Sequence, residues 1–230
     1  MRPVERGNLP DDGAGSPKSY AEHTHARADL LTRIGRYCSY CERPIKTHLA
    51  VEHVLPKDLP QFAAVKRDWS NFLLACVNCN STKGKRPLGR RMQFLPDQDN
   101  TFRALLYSVG GRVAAHPART PAEKRKATLL IKLVGLDKMP THDPEAKDLR
   151  WNDRREAWDK ATRYHAKYQA EIIGVDEVVD LCKADGHWSI WMTVFAAITA
   201  VRLALIRAHP GTAACFDAQG DPVARVGGQI

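Results

Sequence analysis

Two stretches decide how this chain folds: Tyr37-Cys38-Ser39-Tyr40-Cys41-Glu42-Arg43-Pro44 and Asn71-Phe72-Leu73-Leu74-Ala75-Cys76-Val77-Asn78-Cys79-Asn80-Ser81-Thr82-Lys83. Each holds a Cys-x-x-Cys pair, with 34 residues between Cys41 and Cys76. A Cys-x-x-Cys turn sets two thiolates on one side of a knuckle, and two such turns make a tetrahedral site for Zn²⁺. Cys38, Cys41, Cys76 and Cys79 are therefore expected to hold a structural zinc. A redox dithiol would favour a thioredoxin-like βαβ setting, which is absent. The gap exceeds that of a simple zinc ribbon, so it must hold an inserted element. Cys182 and Cys215 lack partners at ligand spacing and read as core residues.

The residues in and just after the insert carry the chemistry. Leu49-Ala50-Val51-Glu52-His53-Val54 reads as a strand, with Glu52-His53 at its end, and Asn80-Ser81-Thr82-Lys83 could open a helix. Cleaving a phosphodiester needs a base to activate water, a divalent ion to neutralise charge on the phosphate, and rigid placement of both. The ordinary pKa of His53 suits a base. Glu52 and Asn80 offer the oxygen ligands that Mg²⁺ or Mn²⁺ accepts. The Asn71 amide could pin the intervening loop, and Lys83, Lys85, Arg86, Arg90 and Arg91 could grip phosphates without reading sequence.

This constellation resembles the HNH endonuclease family, whose ββα-metal fold is often stapled by two such knuckles. The resemblance implies that His53 is the general base, Glu52 and Asn80 ligate the catalytic ion, and Asn71 orders the loop. Glu stands at 52 where Asp is commoner, and Asn at 80 where His is commoner. With Met1-Arg2-Pro3-Val4, Val51-Glu52-His53-Val54-Leu55-Pro56-Lys57 and His209-Pro210-Gly211-Thr212-Ala213, the chain is also similar to the HNH subunit of Septu anti-phage systems, PtuB. Related subunits occur in some retrons. That likeness implies a bacterial defence nuclease assembled with an ABC/SMC-type ATPase (PtuA-like). Two other readings fit the same residues: an inactive zinc-stapled binding or regulatory subunit, and an HNH nuclease that cuts RNA such as tRNA.

Working outward, residues 1–17 are rich in Pro and Gly and read as an extended arm, flexible or laid on a partner. Ser16-Pro17 looks like a helix start, with the helix running to Ile34 and Gly35 ending it. Residues 18–95 form the nuclease module. Residues 96–230 form a mostly helical region, expected to dock a partner. It has a short hairpin across Gly110-Gly111, a helix capped by Thr120-Pro121-Ala122-Glu123, a long charged helix over 143–173 carrying Trp151 and Trp158, and a buried helix over 188–207. The aromatic residues Trp151, Trp158, Trp188, Trp191 and Phe195 suit either a helical core or a docking face. The expected fold class is α+β: a small zinc-stapled ββα module flanked by an N-terminal helix and the helical C-terminal region.

Composition agrees with a nucleic-acid partner. The chain has 230 residues, formal net charge +9 and 43% hydrophobic residues, which excludes wholesale disorder. Residues 81–126 hold eleven basic residues against Asp97, Asp99 and Glu123, so the excess lies mostly on the flank after the last motif residue. The N-terminus carries no apolar export signal, so a bacterial cytoplasmic location is expected. Ile190 to Ile206 is too short and too polar to span a membrane.

Overall fold

The computed structural model describes every residue except Leu88, Arg90, Pro140, His142, Asp143, Pro144 and Ala146. Its centre is the pair of strands expected from the motif. β1 (Ala50–His53) runs antiparallel to β2 (Phe72–Ala75), with Ala50 opposite Ala75 and His53 opposite Phe72. All four β2 residues are buried, as an unbroken apolar run demands. α2 (Val77–Lys83) follows at once, giving a ββα unit. The helix begins at Val77 rather than Asn80. Cys76 takes the N-cap position, its sulfur accepting from the Cys79 amide at 3.5 Å.

The N-terminal elements depart from expectation twice. α1 spans Arg27–Ile34, preceded by a 3-10 turn at His23–Ala26, so the helix starts ten residues after Pro17. Local side-chain bonding explains the delay: the Asp12 carboxylate accepts from the Ala14 and Ser16 amides, and Asp11 bridges Pro17. Such an Asx-type loop competes with helix initiation. The arm is extended, but its first six residues are not free. Met1, Arg2, Val4 and Arg6 are buried. The Arg2 guanidinium donates to Ile34 O (2.5 Å), Pro210 O (2.8 Å) and Thr212 Oγ1 (2.7 Å). Arg6 donates to Phe72 O (2.7 Å) and pairs with Asp97 (2.5 Å). Burying two guanidiniums needs this full set of acceptors.

In the C-terminal region, α3 (Thr101–Ala104) leads into a hairpin of β3 (Leu105–Ser108) and β4 (Arg112–Ala115). At its turn, a Cβ on Gly111 would lie 2.4 Å from Arg155 N, so only glycine lets the hairpin seat on the next long helix. α4 (Pro121–Val134) has the expected Thr120–Glu123 capping box and ends on left-handed Gly135. α5 spans Arg150–Gln169, shorter than the expected 143–173: residues 147–149 precede it and 170–173 follow it outside the helix, while Asp143 lies outside the described residues. α6 is Val175–Asp185. The apolar stretch after Trp188 is two helices, α7 (Trp188–Val194) and α8 (Thr199–Ala208), broken at Phe195–Ile198. Among the described residues, no helix is long and apolar enough to cross a membrane.

One core joins both halves. Trp188, Trp191 and Phe195 are fully buried in it, so these three are core residues and not a docking face; Trp151 and Trp158 are partly exposed. Cys182 and Cys215 are core residues as expected. Glu42 ties the first knuckle to the rest. Its carboxylate accepts from the Arg2 amide (3.0 Å), Tyr107 OH (3.0 Å) and the Ser189 amide (2.7 Å), and pairs with the Met1 ammonium (3.2 Å). Burial alone would raise this carboxyl, but the Met1 charge and the Ser189 bonds pull it down to about 2.

Candidate active site and zinc centre

The two knuckles bring all four motif cysteines together. Their sulfurs are buried and lie within 4.8 Å of one another, with Cys41 and Cys76 Sγ 3.6 Å apart. A zinc–sulfur bond of about 2.3 Å makes the edge of a tetrahedron about 3.8 Å, so the cluster suits Zn²⁺. Burial raises the Cys41 and Cys79 thiols, whereas hydrogen bonds from Cys38, Cys41 and Cys79 draw Cys76 down. A four-thiolate site carries excess negative charge, and the fold answers it with Arg150. This buried guanidinium donates to Cys79 Sγ at 2.9 Å, to Val134 O at 2.7 Å, and to both oxygens of Asp148. It thereby links the cluster to the C-terminal ends of α2 and α4. Nothing in the sequence pattern set Arg150 apart from the other charges of a long polar helix.

Beside this staple, β1, the loop after it and α2 form an open cavity of about 680 Å³. Glu52, His53, Asn80, Lys83 and Lys85 line it together. Asn71 does not reach it, and is instead buried behind the loop. Its Oδ1 accepts from the Leu55 amide at 2.7 Å, and its Nδ2 donates to Leu55 O (3.0 Å) and Val65 O (3.1 Å). One side chain thus closes both ends of the 55–65 segment.

That segment ends next to the group that orients His53. His53 Nε2 lies 3.0 Å from Lys66 O. A carbonyl can only accept, so Nε2 carries the proton and Nδ1 keeps its lone pair. Phe72 meets the same ring edge-on at 5.3 Å. Burial, with added repulsion from His23, Lys57 and Lys83, pushes the imidazole down to about 4, well below the ordinary value expected for it. His53 is therefore unprotonated at neutral pH, the state a base requires.

Two expected phosphate contacts have other partners. Lys83 is buried, with Nζ 2.8 Å from Glu52 Oε1 and 2.7 Å from His53 O, so it serves as an internal counter-charge. Tyr40 OH approaches the same Glu52 oxygen at 3.4 Å. Burial raises the Glu52 carboxyl, and Lys83 works against that. Arg86 turns back to cap helix ends, donating to Thr82 O (2.5 Å) and Leu133 O (2.8 Å). Lys85 and Arg91 are exposed, and Arg90 lies outside the described residues.

The donor set of Glu52 and Asn80, one carboxylate and one amide facing an open cavity, suits a hard divalent ion that keeps several waters. Bound there, such an ion would neutralise charge developing on a phosphate. Glu52 would reach it through Oε2, since Oε1 is taken by Lys83 and Tyr40.

The cavity also holds residues that the motif did not mark: His23, Arg27, His48 and Lys57. Lys57 lies four residues after His53 and could have been found from the motif; His23 and Arg27 come from a distant segment, and no periodicity signals them.

No curated protein matches the chain. Residues 38–86, which span both knuckles, His53 and Asn80, match the family model described as HNH endonuclease.

Proposed function

We propose that the protein is a metal-dependent endonuclease that hydrolyses phosphodiester bonds of nucleic acid, DNA ahead of RNA. One observation carries this: His53, fixed as the Nε2–H tautomer by Lys66 O, lines one cavity with Glu52 and Asn80. His53 takes the proton of the attacking water, and Glu52 and Asn80 would hold a divalent ion, Mg²⁺ or Mn²⁺, which would neutralise the charge developing on the phosphate. Arg27, Lys57 and Lys85 on the rim favour a polyanion. DNA stays ahead because, among the described residues, no Phe, Tyr or Trp lines the cavity as a platform for stacked single-stranded bases.

The motif likeness to the Septu HNH subunit supports a bacterial, cytoplasmic anti-phage role alongside an ABC/SMC-type ATPase. Co-expression with an ABC/SMC-type ATPase, where one is encoded beside the gene, followed by co-purification tests that partnership. A second reading, an inactive zinc-stapled binding subunit, is favoured by one feature: Lys83 already neutralises Glu52. Cleavage assays of wild type and His53→Ala separate the two. Mg²⁺-dependent cutting by wild type that His53→Ala abolishes supports the nuclease, and DNA binding without cutting supports the binding subunit.

A further inference from the structure

We propose that the segment ahead of the HNH domain completes the substrate site, with His23 contacting the phosphate under attack and Arg27 holding a neighbouring backbone phosphate. This rests on the nuclease reading above and adds residues outside 38–86 to it. The 3-10 turn at His23–Ala26 and the first residue of α1 form one wall of the cavity that holds His53.

The His23 ring lies 4.8 Å from the His53 ring, tilted by 54°. Water activated at the free Nδ1 of His53 attacks a phosphorus next to that position, so the phosphate oxygens come within reach of the second imidazole. His23 Nδ1 has no hydrogen-bond partner, and the nearest acid, Glu22, is 3.9 Å away. An imidazole with an unsatisfied nitrogen beside a reactive centre is poorly explained as packing alone. Burial, with Lys57 nearby, keeps it neutral, and a neutral imidazole still donates one N–H to a phosphate oxygen.

Arg27 is exposed and forms no ion pair among the described residues. Because Glu52 and Lys83 cancel, the cations left on the cavity wall are Arg27, Lys57 and Lys85, against Asp58. The wall is rigid enough to position them. Ala26, Leu30 and Ile34 of the same segment are buried in the core, and Asp29 accepts from Lys18 (2.7 Å) and Tyr20 (2.9 Å). Fixed cations on ordered backbone select the phosphate chain of a nucleic acid, independent of base sequence.

The experiment uses the full-length protein in two arms. In the first, binding to a labelled DNA duplex is followed by anisotropy over a salt series with EDTA present, so no cutting intervenes. Arg27→Gln should lower the slope of log K against log salt by about 0.9, the loss of one phosphate contact. Arg207→Gln, on α8 outside the cavity, should leave the slope alone. In the second arm, His23→Phe preserves ring packing on His53 and removes only the N–H. It should lower kcat by about tenfold or more, as loss of one hydrogen bond to a charged phosphate implies, with KM and melting temperature little changed. An unchanged slope for Arg27→Gln removes Arg27 from the site, and wild-type turnover by His23→Phe removes His23. If wild type never cuts, the nuclease reading fails on its own, while the binding arm still decides Arg27.

Discussion

Replacing Asn71 should disable the site without touching any group that faces the cavity. Its amide is buried and closes the 55–65 segment through three hydrogen bonds, to Leu55 N, Leu55 O and Val65 O. Asn71→Ala strands all three partners. A buried polar group left unpaired costs about 1–3 kcal/mol, but Leu55 and Val65 are only half-buried, so water recovers part and the total should be about 2–4 kcal/mol. The next carbonyl along, Lys66 O, holds His53, so turnover should fall by about a hundredfold through misplacement of the ring. Asn71→Asp sharpens the test. It is isosteric and keeps the bond from Leu55 N, but sets a carboxylate oxygen against two carbonyls. At neutral pH it should be at least as damaging as alanine. Its stability should recover as pH falls through the raised carboxyl pKa, because protonation restores a donor. Urea unfolding followed by tryptophan fluorescence and amide exchange over residues 54–71 measure both effects. Wild-type stability and exchange in Asn71→Asp at neutral pH would refute the assigned role.

Three further outcomes follow from the same structure. Arg150→Met should weaken zinc retention about 10- to 100-fold, and destabilise the chain by about 1–3 kcal/mol, because Asp148 loses its buried partner while keeping the more exposed Lys138 at 3.7 Å. Chelator competition and denaturation midpoints report the two separately, and unchanged values in both would exclude Arg150 as support for the cysteine cluster. Lys83→Met should destabilise the fold through the unpaired Glu52, yet tighten Mn²⁺ binding measured by spin resonance, since the competing ammonium is gone. Weaker Mn²⁺ binding would instead make Lys83 an aid to the metal site. Burial holds His187 and His209 at about 4, against an ordinary 6.5. The unfolded chain then takes up protons that the fold refuses, so their contribution is complete above about 6.5 and is lost as pH falls towards 4. Urea midpoints that stay level between neutral pH and 4.5 would contradict this.

Much of the site is visible in the residues themselves, because its chemistry is local in sequence. Two Cys-x-x-Cys turns fix a cluster whatever lies between them, and a strand ending in Glu52-His53 next to a knuckle helix needs few long-range contacts to specify it. The capping box at Thr120 is equally local. What escaped the pattern depends on distant partners. Lys83 reads as a phosphate ligand until its burial against Glu52 is seen. Ser16-Pro17 resembles a helix start, but the Ser16 carbonyl, the first acceptor such a helix would use, accepts from the Asp12 amide, and the Lys18 amide donates to Pro10 O. The arm reads as flexible or laid on a partner because nothing in Met1-Arg2-Pro3 announces that Ile34, Pro210 and Thr212 of the same chain will accept from Arg2. The apolar run after Trp188 reads as one helix, yet a turn at residues 195–198 divides it into α7 and α8.

The most direct test of the proposed chemistry is cleavage of DNA by the purified zinc-loaded protein, with any ATPase that co-purifies, comparing wild type with His53→Ala and adding EDTA and then excess Mg²⁺. Wild type should cut, EDTA should stop it, Mg²⁺ should restore it, and His53→Ala should stay at background while retaining zinc and wild-type folding. Cleavage at an undiminished rate by a folded His53→Ala protein would contradict the assignment of this cavity as the catalytic centre.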